Sequence, residues 1–305
     1  MKAKVILMEA LRSLYEMNPE KFDWDFSVAG QVKSQDGSLK VQNGALVGLV
    51  LANSHISDIS PLAALTELME LDLEETGLSD LSPLAALTEL RSLALGHNAV
   101  SDLSPLAALT KLTSLELQHN EALAHHKASD LSPLAGLTEL MVLDLEYIGL
   151  SDLWPLAGLT KLRWLRLSRN GISNLAPLAG LKKLRNLNLE ANRVSDLRPL
   201  AGLTELRILN LEWNRKLSDL SPLAGLVKLT HLVLPGNEIS DLRFLADLKK
   251  LKYLDIRNNK ISDLSPLAGL KNLVALRLHD NRVSDLAPLA PLTKLKKFDL
   301  WGDIF

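Results

Sequence analysis

The chain has no cysteine, aromatic side chains make up only 4% of its 305 residues, and no apolar run approaches the length of a membrane span. Without cysteine there is no disulfide framework, no thiolate nucleophile and no cysteine metal site, and the redox compartment is left open. A bilayer-spanning helix needs roughly 20 consecutive apolar residues, and none is present. Also missing are a glycine-rich phosphate loop, a G-x-S-x-G elbow and an H-E-x-x-H pair, so the sequence points to no enzyme and no cofactor.

What fills the chain is leucine at a fixed period. From Leu46 to residue 294 a unit of the form L-x-x-L-x-L-x-x-N-x-I-S-D-L-S-P-L-A-G-L-T-x recurs eleven times, starting at Leu46, Leu68, Leu90, Leu112, Leu140, Leu162, Leu184, Leu206, Leu229, Leu251 and Leu273; a truncated copy follows at Leu295. Two copies depart from 22 residues. The fourth has six extra residues between Asn120 and Ser129, and the eighth one extra near Arg215 to Leu217. Leucines spaced 3, 2 and 3 apart within a 20–29-residue period identify the chain as a leucine-rich repeat solenoid, in which a unit buries its apolar edge only against its neighbours.

The first half of a unit alternates as a strand with one buried face does. In Leu162-Arg-Trp-Leu165-Arg-Leu167, Leu165 and Leu167 point inward and Trp164 and Arg166 outward. Such strands stack in parallel at about 4.8 Å to line the concave face. The recurrent Asn (Asn98, Asn120, Asn170, Asn192, Asn214, Asn237, Asn259, Asn281) reads as a buried amide ladder that satisfies backbone groups. Ser54, Thr76 and Ile148 take its place in the other units, and Ile148 cannot hydrogen-bond through its side chain, so irregularity is expected there. In the second half, as in Ser101-Asp102-Leu103-Ser104-Pro105-Leu106, Ser stands where an N-cap belongs and Pro in the first helical position, which predicts a short 3₁₀ or α turn on the convex face. The fold class is therefore α/β: a parallel sheet on one face and short turns on the other.

The N-x-I-x-D-[IL]-x-P-L-x-x-L core resembles the repeats of bacterial internalins and of the nuclear regulatory subunit of protein phosphatase 1. That resemblance covers about four-fifths of the chain and implies protein–protein recognition through the concave face without naming the partner. No recognition residue carries over, since those positions are the ones that differ. Residues 1–45 lie outside the repeats. Ile6, Leu7, Leu11 and Leu14 are spaced for an amphipathic helix, read as a helical cap over the open end of the leucine core. Glu9 and Arg12 interrupt any apolar leader, so no signal peptide is expected and a cytoplasmic location is the default. The stretches from Ala10 to Phe26, with Trp24, and from Gly37 to Asn53 are similar to the cysteine-free N-terminal cap of plant-type and bacterial leucine-rich repeat proteins. At the other end, residues 295–305 form a truncated repeat whose apolar Leu300 to Phe305 either fold over the last unit or are covered by a partner or further domain.

Because the outer turns hardly vary, recognition must be written where the units differ. Glu70, Asp72, Glu74 and Glu75 make an acidic patch, continued by Glu116, Gln118, Glu121, Asp144 and Glu146; Arg163, Trp164, Arg166 and Arg169 then reverse the sign, followed by Arg185, Arg193, Arg207, Trp213 and Arg215. Residues 1–160 hold 9 basic and 22 acidic residues, a net of −13, and residues 161–305 hold 25 and 14, a net of +11. Such a field steers and orients a partner. Tyr147, Trp164, Trp213 and Tyr253 occupy solvent-facing positions, and Trp or Tyr beside Arg dominates interface energetics, which sets the expected hot spot over the fifth to eighth units. Trp154, in an outer turn, is expected to pack locally.

His97 and His119 recur at one position of adjacent units, with His125 and His126 in the insertion, a set considered as metal ligands but weighed below a recognition loop. Asp and Ser recur in every unit and so serve the turn, and Asp72 and Glu74 lie on an open face with nothing to exclude water. Nucleic acid is disfavoured as a partner because the acidic half repels phosphates and no recognition motif is present. The expected function is a non-enzymatic module that binds a protein ligand in the concave groove, through Tyr147, Arg163, Trp164, Arg166, Arg169, Trp213 and Tyr253, with Glu70, Asp72 and Glu74 orienting it. The alternative is a self-associating or structural module, head to tail. A consensus-engineered scaffold is a further alternative, against which stand the irregular units and the idiosyncratic concave residues.

Overall fold

The computed structural model describes residues 2–17, 20, 24–25, 33–34, 38–42, 45–56, 58–120, 122–123 and 130–299. Glu121, His125, His126 and the Leu300 to Phe305 tail therefore lie outside the described residues. The chain divides into two compact units, Met1–Gly149 and Leu150–Phe305.

The first unit opens with helix α1 (Lys2–Met17), whose Ala10, Leu11 and Leu14 are buried and which packs on the outer turn at Ser60–Ala64. A two-residue antiparallel ladder follows, β1 (Trp24–Asp25) with β2 (Lys33–Ser34). Next come β3 (Leu39–Gln42), β4 (Ala45–Val50), β5 (Glu70–Asp72), β6 (Ser92–Ala94), β7 (Ser114–Glu116) and β8 (Val142–Asp144). From β4 to β8 every pairing is parallel. The exception is β3, which pairs antiparallel with β4 through an irregularity at Lys40/Val41, so this edge of the sheet is finished by a hairpin rather than by another repeat. The second unit holds β9 (Trp164–Arg166), β10 (Asn186–Asn188), β11 (Ile208–Asn210), β12 (His231–Val233), β13 (Tyr253–Asp255), β14 (Ala275–Arg277) and β15 (Lys297–Asp299), all parallel in sequence order.

The registers put leucine beside leucine. Leu165 pairs with Leu187, Leu187 with Leu209 and Leu209 with Leu232, and these four are essentially inaccessible to solvent. Since a fully buried Leu contributes roughly 2 kcal/mol, the core holds each unit by repetition rather than by any single contact.

The Asn ladder is present and joins neighbouring units. Asn98 Oδ1 accepts from the backbone N–H of Leu78 at 2.9 Å and Thr76 at 3.1 Å in the preceding unit, while its Nδ2 donates to Leu73 O at 2.7 Å and Leu95 O at 3.0 Å. The same pattern recurs at Asn120, Asn192, Asn259 and Asn281, each accepting from the N–H two residues past the preceding Asn. Where the Asn is missing the backbone compensates. Residues 53 and 55, 75 and 77, and 147 and 149, which flank Ser54, Thr76 and Ile148, all have positive φ, against one such residue per unit elsewhere. Glycine supplies the second at Gly77 (+79°) and Gly149 (+72°), where a side chain would be strained. The irregularity expected at Ile148 is thus a second left-handed residue.

The outer turns are 3₁₀ helices such as Ser104–Ala108, but their cap is not the serine. Leu103 occupies the N-cap and makes no side-chain cap bond. Asp102 instead accepts from the Ser104 backbone N–H at 2.8 Å, and the Ser104 hydroxyl donates back to it at 2.8 Å. An Asp two residues ahead of the turn reaches that orphan amide directly, as an Asx-turn does. Asp58, Asp80, Asp130, Asp219 and Asp263 repeat the arrangement.

Candidate binding surface

Two rows of side chains stand on the exposed face of the strands. In the second unit one row runs Trp164, Asn186, Ile208, His231, Tyr253, Ala275, Lys297, and the other Arg166, Asn188, Asn210, Val233, Asp255, Arg277, Asp299. In the first unit the rows are Gly48, Glu70, Ser92, Ser114, Val142 and Val50, Asp72, Ala94, Glu116, Asp144. Beside them runs a third line, the residue just before each Asn position, and it is left-handed: Glu75 (+54°), His97 (+56°), His119 (+57°) and Tyr147 (+52°), then Arg169 (+57°), Ala191 (+53°) and Trp213 (+55°). Each non-glycine residue held there costs on the order of 1 kcal/mol. Strain of this kind concentrates where side chains must be presented in one direction.

In the first unit the acidic residues are partly neutralised by local bonds. Glu70 pairs with Lys40 at 2.5 Å, Asp72 accepts from the Glu74 backbone N–H at 3.0 Å, and Glu74 accepts from Gln118 Nε2 at 3.0 Å. Glu116 lies among the carboxylates of Asp144, Glu74 and Asp72; burial first, and then their repulsion, raises its pKa. Asp144 and Glu146 are buried, and Asp144 accepts from the Glu146 N–H at 3.0 Å. His97 and His119 stack with ring centroids 4.4 Å apart and planes 14° from parallel, and the Tyr147 ring lies 5.4 Å from His119. Face-to-face imidazoles do not aim their nitrogens at a common ion. No group of three or more metal-ligating side chains forms among the described residues.

The second unit separates the expected hot spot into three places. Arg163 precedes β9, Trp164 and Arg166 share it half-buried, and Arg169 is exposed with its guanidinium 3.9 Å from Glu190. Tyr253 is in the same row as Trp164 but four strands on, about 19 Å at sheet spacing. There it belongs to a cluster that inspection of the charges alone passed over. Asp255, 1% exposed, receives two 2.8 Å bonds from Arg257 and one of 3.3 Å from the Tyr253 hydroxyl, with Arg277 at 3.8 Å. The Arg277 guanidinium is 6.0 Å from the Tyr253 ring centre, and His231, next to Tyr253 in the same row, stacks with it at 5.9 Å. The signal was the alternation Tyr253-Leu-Asp255-Ile-Arg257, three polar side chains on one strand face. Burial, then Glu190, raises the pKa of Glu212 nearby.

Trp213 goes elsewhere. It is 45% exposed and lines a cleft of about 840 Å³ with Ser173, Ala191, Arg193, Ser195, Arg215 and Lys216, none of them a strand residue. Trp154, expected to pack locally, is 61% exposed: it starts the 3₁₀ turn Trp154–Leu156, where its backbone N–H donates to Asp152 at 3.0 Å and its carbonyl accepts from the Ala157 N–H at 3.1 Å.

A family model described as leucine-rich repeats in two copies matches residues 160–202 and 227–269. The chain is similar to the crystal structure of an internalin from Listeria monocytogenes, with 33% identity over 96% of this chain and 94% of that one and a TM-score of 0.75. A leucine-rich repeat protein of Leptospira interrogans matches 80% of this chain and 63% of its own at 24% identity, TM-score 0.74. A plant peptide hormone receptor, RGFR1, solved in complex with RGF2, matches 87% and 48% at 20% identity, TM-score 0.71. The last two show the fold alone. No curated protein sequence matches.

Proposed function

The chain belongs to the leucine-rich repeat family, and from that premise we propose that it is a non-enzymatic recognition protein which binds a protein partner on the exposed face of its repeat strands. One observation carries this reading. Leucines, Asn staples and Asp-capped turns are nearly constant from copy to copy, while the two strand rows and the left-handed line differ at almost every copy and include Trp164, Arg166, Tyr253, Arg277 and Tyr147. Trp, Tyr and Arg are the residues whose truncation costs most at interfaces. The acidic Glu70, Asp72 and Glu74 fit the role of orienting such a ligand. Among the described residues no pair of groups resembles a catalytic constellation, and the Asp72 carboxylate already accepts from a backbone amide. Helix α1, buried through Leu11 and Leu14, fits the capping role for residues 1–45.

The test is affinity capture with the wild-type chain and a Trp164→Ala/Arg166→Ala variant in parallel. A partner retained by the first and lost by the second, with unchanged thermal unfolding, supports the strand face; equal retention by both removes it. A second reading, head-to-tail self-association, draws on the charge of the two units, a net of −12 for residues 1–149 and +10 for residues 150–305. Light scattering at low and high salt separates the two: a salt-sensitive oligomer favours the second, a monomer throughout the first.

A further inference from the structure

The cleft beside Trp213 is a different kind of surface from the strand face, and it arises from the one extra residue of the eighth repeat. In a 22-residue unit a single residue separates the Asn from the next buried aliphatic, as Arg193 separates Asn192 from Val194. Here Arg215 and Lys216 both stand between Asn214 and Leu217, and the Leu217 N–H closes onto Asn214 O at 2.7 Å, which makes them the two corner residues of a tight turn. The staple shifts with it: Asn237 Oδ1 takes the N–H of Asn214 itself at 3.0 Å. The insertion thus pushes two adjacent cations out at the rim of a cleft that Arg193 already lines. All three are exposed, and among the described residues no carboxylate lines the cleft or pairs with any of them. Ion pairs form elsewhere in this unit, Arg198 with Asp196, Arg243 with Asp241 and Lys228 with Glu205.

The indole is fixed against this charge. Trp213 is left-handed at +55° and its ring lies flat on the Cα of Gly236, itself at +67°. It presents an apolar face, Ala191 lines the cleft with it, and Ser173 and Ser195 offer hydroxyls. Three exposed cations around one Trp seated on Gly236, beside an open cleft of about 840 Å³, match an anionic ligand that also has an apolar group to lay against the ring.

We propose that this cleft is a second binding site, separate from the strand face, for an acidic peptide segment whose carboxylates engage Arg193, Arg215 and Lys216 while an apolar side chain between them packs on Trp213. A peptide fits better than a nucleic acid. The cations are gathered at one spot rather than strung along a phosphate track, and the first unit of the same molecule carries a net of −12.

The experiment measures fluorescence anisotropy of a labelled twelve-residue peptide with glutamates on both sides of a central phenylalanine, against its glutamine counterpart and a single-stranded DNA of equal length. The glutamate peptide is expected to bind the full chain and the glutamine peptide not, with affinity about tenfold weaker in Arg215→Ala/Lys216→Ala. Arg215→Glu/Lys216→Glu, exposed changes that leave the core untouched, is expected to abolish binding and to accept the corresponding lysine peptide. Replacing the phenylalanine by serine, or Trp213 by alanine, is expected to weaken binding further. DNA binding as tight as the glutamate peptide, or equal peptide affinity in wild type and the double alanine variant, overturns the proposal. So does a self-association that the same double variant abolishes, since the occupant is then a second copy of the chain.

Discussion

Gly236 lies beneath the indole of Trp213: a Cβ added at Gly236 would fall 2.5 Å from Cε3 and 2.8 Å from Cδ2 of that ring. The two residues come from adjacent repeats, and each needs the other, the indole a flat bed and the glycine a reason to have no side chain. Gly236→Ala is therefore expected to tilt Trp213 out of its position and to cost about 1 kcal/mol, part of it from the left-handed backbone. Urea unfolding reads the cost. Comparing tryptophan emission in Gly236→Ala and Trp213→Phe reads the displacement; unchanged emission from Trp213 would refute the packing.

Removing one staple should be far more damaging than removing one leucine contact at the surface. Asn192 accepts from Ile172 N at 3.0 Å and donates to Leu167 O at 2.9 Å and Leu189 O at 3.1 Å, all buried. Asn192→Ala leaves these groups without partners, and about 2–4 kcal/mol of stability is expected to go with it. A denaturation midpoint within error of wild type would show that water replaces the amide.

Asp255 is a buried carboxylate held mainly by Arg257, which keeps a quarter of its own side chain exposed. Arg257→Ala should destabilise by about 2 kcal/mol, less than for a fully buried pair because solvent and Arg277 share the load. Asp255→Asn/Arg257→Gln, which removes both charges, is expected to recover part of the loss. If the double variant is less stable than Arg257→Ala, the charge pair is not what holds the cluster.

Two groups of carboxylates give the pH profile opposite slopes. Hydrogen bonds from Ser82 and Ser104 lower Asp80 and Asp102, and the Arg198 side chain lowers Asp196 to about 2. Each binds its proton less readily when folded, so its stabilisation is complete above the unfolded Asp value near 4 and is lost as pH falls toward about 2. Glu116 and Glu212 are raised by burial and by neighbouring carboxylates, so they bind protons more readily when folded, and stability rises as pH falls through their raised folded values to the ordinary Glu value. Stability is expected to peak on the acid side of neutrality. Glu116→Gln should flatten the rise without moving the acid limb, and thermal unfolding across pH 2–8 checks both.

The period, the strand faces, the buried Asn and the outer turns were legible because each depends on residue type at fixed spacing. Leu165 against Leu187 is a consequence of the 22-residue offset alone. The left-handed line was not legible, since Tyr147, Arg169 and Trp213 are not the residues that favour such a backbone; it recurs after each strand, before Thr76 and Ile148 as well as before the Asn residues. The turn cap was assigned to Ser104 when Asp102 makes it, because both residue types cap and only the geometry of a 3₁₀ start decides. Tyr253 and Trp164 looked like neighbours in a list, but strand stacking sets them four strands apart. Trp213 left the strand face through its left-handed backbone. Its cationic neighbours Arg215 and Lys216 came with one inserted residue, whose effect on direction a linear reading does not carry.

The Asn staple also acts as a length gauge. Its oxygen receives the amide two residues past the preceding Asn, at Val100, Ile172 and Ile261 among others, and that fixed distance admits no extra residue in between. In both copies that exceed 22 residues the following unit does not make that bond, although the first copy, followed by Thr76, keeps 22 residues without it. After Asn120 the next unit offers Ile148, which has no amide to measure with, and six residues have entered. After Asn214 the oxygen of Asn237 reads Asn214 itself instead, and one residue has entered. An insertion in this array is thus accommodated by the repeat that follows it, which gives up the bond that would otherwise have fixed its length.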